Sequence, residues 1–329
     1  MQSHQPSGTK KRNGVALVAD IGGTNARFAI ADRTVGEISL REIRRFRAAD
    51  FQSVDDAAKA YLQSVGVKPS RACFAAAGPI IDDAVDFTNS HWTLRADDIA
   101  ESLGLKTVRI VNDFFALAAG VEYLPPSSFI EVKSGAPIVG APRLVIGPGT
   151  GFGQALIVPT ICGDRIIATE GGHASFAPGA DIEWEIRRHI TREHSRVSIE
   201  RVLSGSGLRN IYHALCAIEG EQDVFQQAEA ITAAAIAGED QTAAKTVNMF
   251  CDILGQVAGD AALSAGARGG VVLGGGILPK IKDIFIRSAF VARFVDKGRM
   301  SEYLSAIPVK LITGEGAALY GAAASLEDN

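Results

Sequence analysis

Short apolar runs, each ended by glycine or by a polar residue, predict β-strands along the first third of the chain. Residues 15–19 and 26–31 flank a glycine-containing turn and therefore predict a hairpin. A third strand is predicted at 41–46, and 71–77 and 108–111 predict buried strands. Together these runs predict a sheet near the N-terminus.

Apolar residues that recur every three or four positions predict helices between and after these strands. The pattern is clear at 53–65, 113–119 and 242–263, and a helix of small residues is predicted at 317–324. Because strands and helices alternate, the pattern places the protein in the α/β class.

A second strand–glycine–strand unit follows the break at Pro125-Pro126, which marks a predicted lobe boundary. Here a strand at 143–146, the glycine segment 147–153 and a further strand through Val158 repeat the arrangement of the first hairpin. The repeat suggests an internal duplication. A buried strand at 271–273 then leads into a third glycine segment, 274–276.

The length of 329 residues suits two modest domains better than one small core. Hydrophobic residues make up 47% of the chain and charged residues 21%, which is typical of a soluble globular protein. The 35 glycines are the unusual feature of the composition, because many of them fall in the short segments just described.

The charge balance is slightly acidic, with a formal charge of -4 and a pI near 5.9, which argues against a nucleic-acid partner. It does not exclude an anionic nucleotide, because backbone amides bind phosphate without net positive charge. The polar N-terminus has no apolar signal region, and no uninterrupted apolar stretch is long enough to cross a bilayer. We therefore expect a cytoplasmic protein with no membrane partner.

None of the four cysteines is spaced as a zinc or redox motif requires. These cysteines are Cys73, Cys162, Cys216 and Cys251. The pattern favours small, buried hydrophobic side chains in a reducing compartment over a zinc site or a disulfide framework.

Two of the glycine segments have the composition of phosphate-binding loops. In the segment 20–25, Gly22 and Gly23 let the backbone approach phosphate oxygens, and Thr24 adds a side-chain donor. Asp20, at a strand end, is suited to hold Mg²⁺ through water. A plain hairpin turn is the alternative interpretation. In the segment 147–153, four glycines exceed the needs of a turn and indicate that something passes close to the backbone.

Polar residues at strand ends supply candidates for chemistry on a hydroxyl group. Asp113 follows Asn112 where a buried strand meets a helix, and an aspartate there can accept a proton from a substrate hydroxyl. A helix N-cap is the equally good alternative for this pair. Glu170, His173 and Glu200 can pair with adjacent sugar hydroxyls. For Glu200, a first-turn glutamate favoured by the helix dipole is the alternative.

Six segments in this order resemble the bacterial glucokinase family, and specifically the proteobacterial type within the hexokinase, actin and Hsp70 superfamily: DIGGTNAR, VNDF, GPGTGFG, EGGH, ERVLSGSGL and LGGGI. The resemblance runs from about Val15 to Ala324. The cysteine-rich zinc motif of the related repressor–kinase group is absent after EGGH.

The resemblance implies a role for each matching residue. Asp113 is the expected catalytic base, and glucose is expected to be held by Asn89, Asn112, Asp113, Glu170, His173 and Glu200. ATP is expected to contact three segments, through Ala19, Asp20, Ile21, Gly22, Gly23, Thr24, Gly149, Thr150, Gly151, Gly274 and Gly275. Asp20 is the expected ligand of Mg²⁺, through water.

The resemblance also implies two α/β lobes of the actin-like ATPase (ribonuclease H-like) type with a cleft between them. We expect a disordered tail at 1–13, a small lobe from 14–123 and 313–329, and a large lobe from 124–312. The expected reaction transfers the γ-phosphoryl group of ATP to the 6-hydroxyl of glucose in the cytoplasm. The family often forms homodimers, so a homodimer is the expected assembly. The alternatives are a kinase for another hexose (fructose, mannose or an amino sugar), a non-catalytic sugar-sensing regulator, and an actin-like or chaperone ATPase.

Overall fold

The computed structural model of the chain describes residues 13–34, 37–78, 80–87 and 91–326. The predicted tail at 1–13 lies outside these residues except for Asn13, where the first strand begins. Asn89, predicted to contact the sugar, also lies outside them.

Extended segments of the described residues form the following strands: β1 Asn13–Ile21, β2 Asn25–Thr34, β3 Glu37–Arg47, β4 Arg71–Ala76, β5 Ala84–Asp86, β6 Thr93–Arg95, β7 Thr107–Asn112, β8 Phe129–Lys133, β9 Arg143–Pro148, β10 Phe152–Thr160, β11 Gly163–Thr169, β12 Gly270–Leu273 and β13 Val309–Ile312.

The α-helices in the same part of the chain are α1 Val54–Val65, α2 Ala96–Leu103, α3 Asp113–Gly120, α4 Asp181–Ile190, α5 Gly205–Glu219, α6 Ala228–Ala237, α7 Gln241–Ala265, α8 Lys282–Arg287, α9 Phe290–Val295, α10 Ser301–Ser305 and α11 Ala317–Ala324. Single 3₁₀ turns lie at Ala48–Asp50, Val121–Tyr123, Pro126–Ser128, Gly171–His173 and Gly298–Met300.

The chain divides into two compact units. The first comprises the residues up to Leu124 together with those from Gly316 onward, and the second comprises Pro125–Glu315. Both units contain a sheet and helices, so the predicted α/β class is confirmed.

The sheet of the first unit has the order β3-β2-β1-β4-β7. β1, β2 and β3 are antiparallel neighbours, whereas β1, β4 and β7 run parallel. Side chains alternate along β1, so Leu17 and Ala19 pack with α1 in one hydrophobic cluster while Ala16 and Val18 pack with α11 in another. Both faces of this sheet are therefore covered.

Small residues on α3 and α11 let these two helices lie in close contact. A Cβ atom at Gly120 would collide with the carbonyl of Ala317, and one at Gly321 would collide with the carbonyl of Ala116. The predicted small-residue helix at the C-terminus is thus explained by close backbone packing against the helix that begins at Asp113.

The sheet of the second unit has the order β11-β10-β9-β12-β13-β8. Its first five strands repeat the order and the directions of the sheet in the first unit, with two antiparallel pairs followed by two parallel pairs. β8 adds an antiparallel edge strand. This recurrence of strand order agrees with the suggested internal duplication.

The long helix α7 lies at the centre of the hydrophobic core of the second unit. Asp240 caps its N-terminus by accepting a hydrogen bond from the amide of Ala243, and Gly266 ends it in the left-handed conformation. Phe250 and Leu254 of α7 are fully buried in the cluster that contains Ile146 of β9. The core therefore fixes the strand that leads into the second glycine segment.

Two sequence predictions need correction. The second glycine loop is shorter than predicted, because Gly147 pairs with Gly153 across β9 and β10 and only residues 149–151 form the turn. The prediction that all four cysteines are buried is wrong for Cys162, which is exposed in the turn between β10 and β11. Among the residues that the structure describes, no helix is both long and apolar enough to span a membrane.

Candidate active site

The candidate residues of the first unit lie at the carboxyl edge of its three parallel strands. Ile21 of β1 is in register with Ala76 of β4, and Ala76 is in register with Asn112 of β7. Asp20 and Asp113, which adjoin the first and last of these residues, therefore lie along one sheet edge. The loops at this edge are where open α/β sheets bind ligands.

The first glycine turn is narrow and held by backbone hydrogen bonds. The amide of Gly22 donates to the carbonyl of Asn25 at 2.9 Å, and the amide of Ala48 donates to the carbonyl of Thr24 at 2.9 Å. Thr24 is exposed, and Gly22 and Gly23 are half-buried, so the turn is accessible to a ligand. Ala19 and Ile21 are fully buried, so only their backbone atoms are available for binding.

Asp20 is a half-buried carboxylate that faces Arg27 across the hairpin. Burial raises the pKa of Asp20, and the positive charges of Arg27 and Arg45 oppose this effect without cancelling it. A carboxylate in this position gains from a nearby cation, because the cation favours the ionised form.

Asn112 is the N-cap of α3, as the alternative interpretation of the sequence proposed. Its Oδ1 accepts hydrogen bonds from the amides of Phe114 and Phe115, both at 3.0 Å. Its Nδ2 donates to the carbonyl of Gly78 at 3.5 Å, which leaves the second amide proton for another partner. Asp113 is the first residue of the helix, and its Oδ1 accepts from the amide of Phe114 at 2.8 Å. Capping thus fixes the backbone that carries the Asp113 carboxylate.

In the second unit, Glu200 connects the second glycine turn to the EGGH segment. Its Oε2 accepts a hydrogen bond from the amide of Phe152 at 2.9 Å, directly after Gly151, and its own amide donates to the carbonyl of Gly172 at 2.9 Å. Glu200 lies five residues before α5, which begins at Gly205, so its interpretation as a first-turn glutamate is wrong.

The four alternating glycines of the second segment do not all serve the same purpose. A Cβ atom at Gly147 would collide with the backbone of Gly274, and one at Gly151 would collide with Oε2 of Glu200. A Cβ atom at Gly149, in contrast, would meet nothing within 4 Å. Thr150 is exposed at the tip of the turn. The close approach predicted from the glycine spacing is thus made by the protein itself at Gly147 and Gly151, whereas the backbone is open at Gly149.

The EGGH segment packs on the start of β10 and presents its two ends to solvent. A Cβ atom at Gly172 would collide with the carbonyl of Phe152, and one at Gly171 with Oε1 of Gln154. The side chains of Glu170 and His173 are 65% and 60% exposed, and their Oε2 and Nε2 atoms are 3.8 Å apart. The two glycines therefore allow close packing while both polar side chains are available to a ligand.

The third glycine segment is joined to the second by backbone contacts. The amide of Gly274 donates to the carbonyl of Ile146 at 3.0 Å. Gly275 has a φ of 88°, and a Cβ atom there would collide with the carbonyl of Pro148. Only glycine accommodates both the positive φ and the close approach of the Pro148 carbonyl at position 275. The structure therefore brings Gly149–Gly151, Gly274, Gly275, Glu170, His173 and Glu200 into one region of the second unit.

The sequence analysis missed residues that hold this region together. Ser204 is fully buried and caps α5 by accepting from the amide of Gly207 at 3.0 Å, and the adjacent amide of Gly205 donates to the carbonyl of Gly149 at 3.0 Å. The segment Ser-Gly-Ser-Gly was the available signal, since serine is a favoured N-cap. In the first unit, the charge of Arg45 acts on Asp20, but Arg45 lies in β3 and Asp20 in β1. No local sequence pattern therefore indicated this pair.

The family model described as Glucokinase matches residues 17–329 of the chain. A curated glucokinase from Hahella chejuensis is 42% identical over 314 residues, which cover 95% of this chain and 97% of that protein. The crystal structure of a glucokinase from an Antarctic psychrotroph is 39% identical, with a TM-score of 0.82 and coverage of 95% of this chain and 98% of that chain.

A more distant solved structure shares the fold. A ROK family glucokinase from Streptomyces griseus, in complex with glucose and AMPPNP, is 20% identical with a TM-score of 0.61, and covers 94% of this chain and 98% of that chain. Together these likenesses confirm the predicted family resemblance and the predicted actin-like kinase fold.

Proposed function

The chain belongs to the glucokinase family, whose reaction is the ATP-dependent phosphorylation of glucose to glucose 6-phosphate, and we propose that the residues described above carry this reaction. The observation that carries the assignment of residues is the position of Glu200. One carboxylate oxygen shapes the turn that carries Gly149, and the backbone of the same residue holds the segment of Glu170 and His173. Candidate phosphate-binding and sugar-binding residues thus form one connected structure.

We propose that Asp113 accepts the proton of the glucose 6-hydroxyl as that oxygen attacks the γ-phosphorus of ATP. The helix cap made by Asn112 fixes Asp113, and the remaining amide proton of Asn112 is suited to a sugar oxygen. Positioning and general-base help of this kind lower the barrier without a covalent intermediate on the protein.

We propose that Glu170, His173 and Glu200 bind the sugar hydroxyls and distinguish their configuration. A carboxylate beside a histidine offers acceptors and donors in a fixed array, so a hydroxyl of the wrong configuration leaves polar groups unpaired. One oxygen of Glu200 is already bound to Phe152, which fixes the orientation of the other. Asn89 is proposed as a further sugar contact from its sequence context alone.

The nucleotide is proposed to lie against the three glycine segments, through the backbone of Ala19–Thr24, Gly149–Gly151 and Gly274–Gly275. The open backbone at Gly149 and the exposed Thr24 and Thr150 support phosphate contacts. Asp20 fits Mg²⁺, because this ion keeps most of its waters and needs only one or two carboxylates from the protein. Bound there, Mg²⁺ would neutralise charge on the phosphates.

The assay that tests this function measures ADP formation by the purified protein with Mg·ATP and a panel of hexoses. We expect turnover with glucose, dependence on Mg²⁺, and lower kcat/KM for mannose and galactose. A higher kcat/KM for fructose or an amino sugar would replace glucose as the substrate and leave the kinase assignment in place. No turnover with any hexose, in folded protein, would remove the assignment.

We further propose that the protein acts in the cytoplasm, at the first step of glycolysis, as a homodimer. The support for these proposals is the family resemblance. Light scattering after gel filtration tests the dimer, since a mass near 34.6 kDa would show a monomer instead.

A further inference from the structure

The proposed sugar-reading residues lie on two segments that pair with each other. The amide of Phe176 donates to the carbonyl of Val197 at 3.0 Å. In the other direction, the amide of Ile199 donates to the carbonyl of Ala174 and the amide of Glu200 donates to the carbonyl of Gly172, both at 2.9 Å. Because of this pairing, a shift of the segment that follows His173 moves Glu200 with it. The three readers therefore behave as one structural element, the sugar-reading ribbon of residues 170–177 and 197–200.

A polar network holds the end of this ribbon. Oε2 of Glu183 accepts from the amide of Gly179 at 2.6 Å, and Nε2 of Gln256 donates to the carbonyl of Ala177 at 2.6 Å. Arg293 connects these two side chains, by an ion pair of 2.6 Å to Oε1 of Glu183 and a hydrogen bond to Oε1 of Gln256. Side chains from α4, α7 and α9 thus converge on three consecutive residues, 177–179.

The burial of Glu183 makes this network unusual. It is 2% exposed and is the only buried charged residue in the part of the chain that the structure describes. A buried ion pair usually adds little stability over a well-packed apolar pair, because both ions lose their hydration. The network instead fixes the orientation of its side chains and of the backbone they bind, because each acceptor lies opposite one particular donor.

Gly179 shows how closely the network fits the chain. A Cβ atom at this position would collide with Oε1 of Gln256 and would lie 2.8 Å from an amino nitrogen of Arg293. The backbone at Gly179 therefore packs against these two side chains with no room for a side chain of its own.

We propose that Glu183, Gln256 and Arg293 are positioning residues that hold the sugar-reading ribbon in its binding geometry. This inference rests on the proposed function, because it assigns sugar recognition to Glu170, His173 and Glu200. The three residues act through the backbone at 177–179 and do not themselves contact the sugar.

Two nearly isosteric variants test the proposal with little change of volume. In Glu183→Gln, only one of the two side-chain atoms can accept a hydrogen bond, although the amide of Gly179 and Arg293 both donate. Gln256→Met removes the bond to Ala177 and keeps the length of the side chain. The matched control is Asp223→Asn in the same unit, which weakens the pairs of Asp223 with Arg209 at 2.8 Å and His213 at 2.6 Å.

The expected result is a split between the two substrates. Both test variants should raise KM for glucose by about tenfold, because small misplacements of binding groups have large effects, and should leave KM for ATP within about twofold. Arg293→Lys should give a smaller rise than Arg293→Met, since it keeps the charge. Asp223→Asn should lower Tm and leave both KM values unchanged. Loss of Tm in the test variants with an unchanged KM for glucose would overturn the proposal.

Amide hydrogen exchange separates failure of this proposal from failure of the proposed function. Breaking the network should speed exchange at Phe176, Ile199 and Glu200, whatever the substrate is. If wild type does not phosphorylate glucose but exchange at these amides rises in both test variants, the function is wrong and the positioning of the ribbon stands. If wild type is active and exchange there is unchanged in both variants, the positioning is wrong.

Discussion

The turns that join the first two strands of each sheet occupy the same topological position but differ in chemistry. In the first unit, Asp20 faces Arg27 just before the turn; in the second, Gly147 faces Gly153 at the corresponding step. The first turn thus carries its own carboxylate. The second carries none, and its carboxylate comes from Glu200, far along the chain.

The two turns thus share a backbone position that the strand order sets, and they differ in the side chains that a ligand would meet there. At Gly147 the absence of a side chain lets the segment at Gly274 approach backbone to backbone. At Asp20 burial raises the pKa of a half-buried carboxylate, and a bound cation would favour its ionised form. We propose that the first unit supplies the base, the metal ligand and a sugar contact through Asn112, and that the second unit distinguishes the configuration of the sugar hydroxyls.

The largest effect should follow from changing the proposed base. Asp113→Asn should lower kcat by roughly 10²–10⁴-fold, because the amide cannot accept the proton, while Oδ1 can still accept from the amide of Phe114. Steady-state kinetics with Mg·ATP and glucose measure this. A near-normal kcat would mean that Asp113 serves only the structure of the helix start. Asn112→Ser keeps a capping oxygen but removes the proposed contact with the sugar, so it should raise KM for glucose and lower kcat far less than Asp113→Asn does.

The second glycine turn offers a matched pair of variants for separating phosphate binding from sugar reading. Gly149→Ala should raise KM for ATP by about tenfold and spare glucose, because its new Cβ has space in the protein and would meet only a ligand. Gly151→Ala should also raise KM for glucose, because its Cβ displaces Oε2 of Glu200.

Initial rates with each substrate varied in turn measure both constants. Equal changes in the two variants would show that the turn does not distinguish the substrates, and the proposed division of its glycines would be wrong.

The smallest expected effect concerns pH and lies away from the proposed chemistry of the second unit. Burial, Arg192 and His213 lower the pKa of His189 from 6.5, with burial the largest cause and Glu193 opposing it. The unfolded chain therefore binds a proton here more readily than the folded protein does. The stability that neutral His189 contributes is present above pH 6.5 and is lost as the pH falls through its lowered pKa.

Calorimetry at pH 7.5 and 5.5 measures this contribution. The fall in Tm on acidification should be smaller in His189→Gln than in wild type. An identical fall in both proteins would show that another group causes the acid response.

Local signals predicted most of the elements around the site, and non-local contacts explain what they left out. Apolar spacing predicted a helix at 53–65, and α1 begins at Val54 with Ser53 as its N-cap. The bond between Glu200 and the turn at Gly151 could not be predicted, because 48 residues separate Glu200 from Phe152. The paired ribbon and the network at Glu183 were missed for the same reason.

The central claim is that Asp113 acts as the base while Glu200 binds the sugar. Its most direct test is calorimetric titration of glucose into wild type, Asp113→Asn and Glu200→Gln, each without nucleotide. We predict that Asp113→Asn binds glucose within about threefold of wild type. Glu200→Gln should weaken binding by about 10- to 100-fold, the cost of roughly 1.5–3 kcal/mol for a lost charged hydrogen bond. Normal glucose affinity in Glu200→Gln, or a loss in Asp113→Asn as large as that predicted for Glu200→Gln, would contradict the assignment of sugar reading to the second unit.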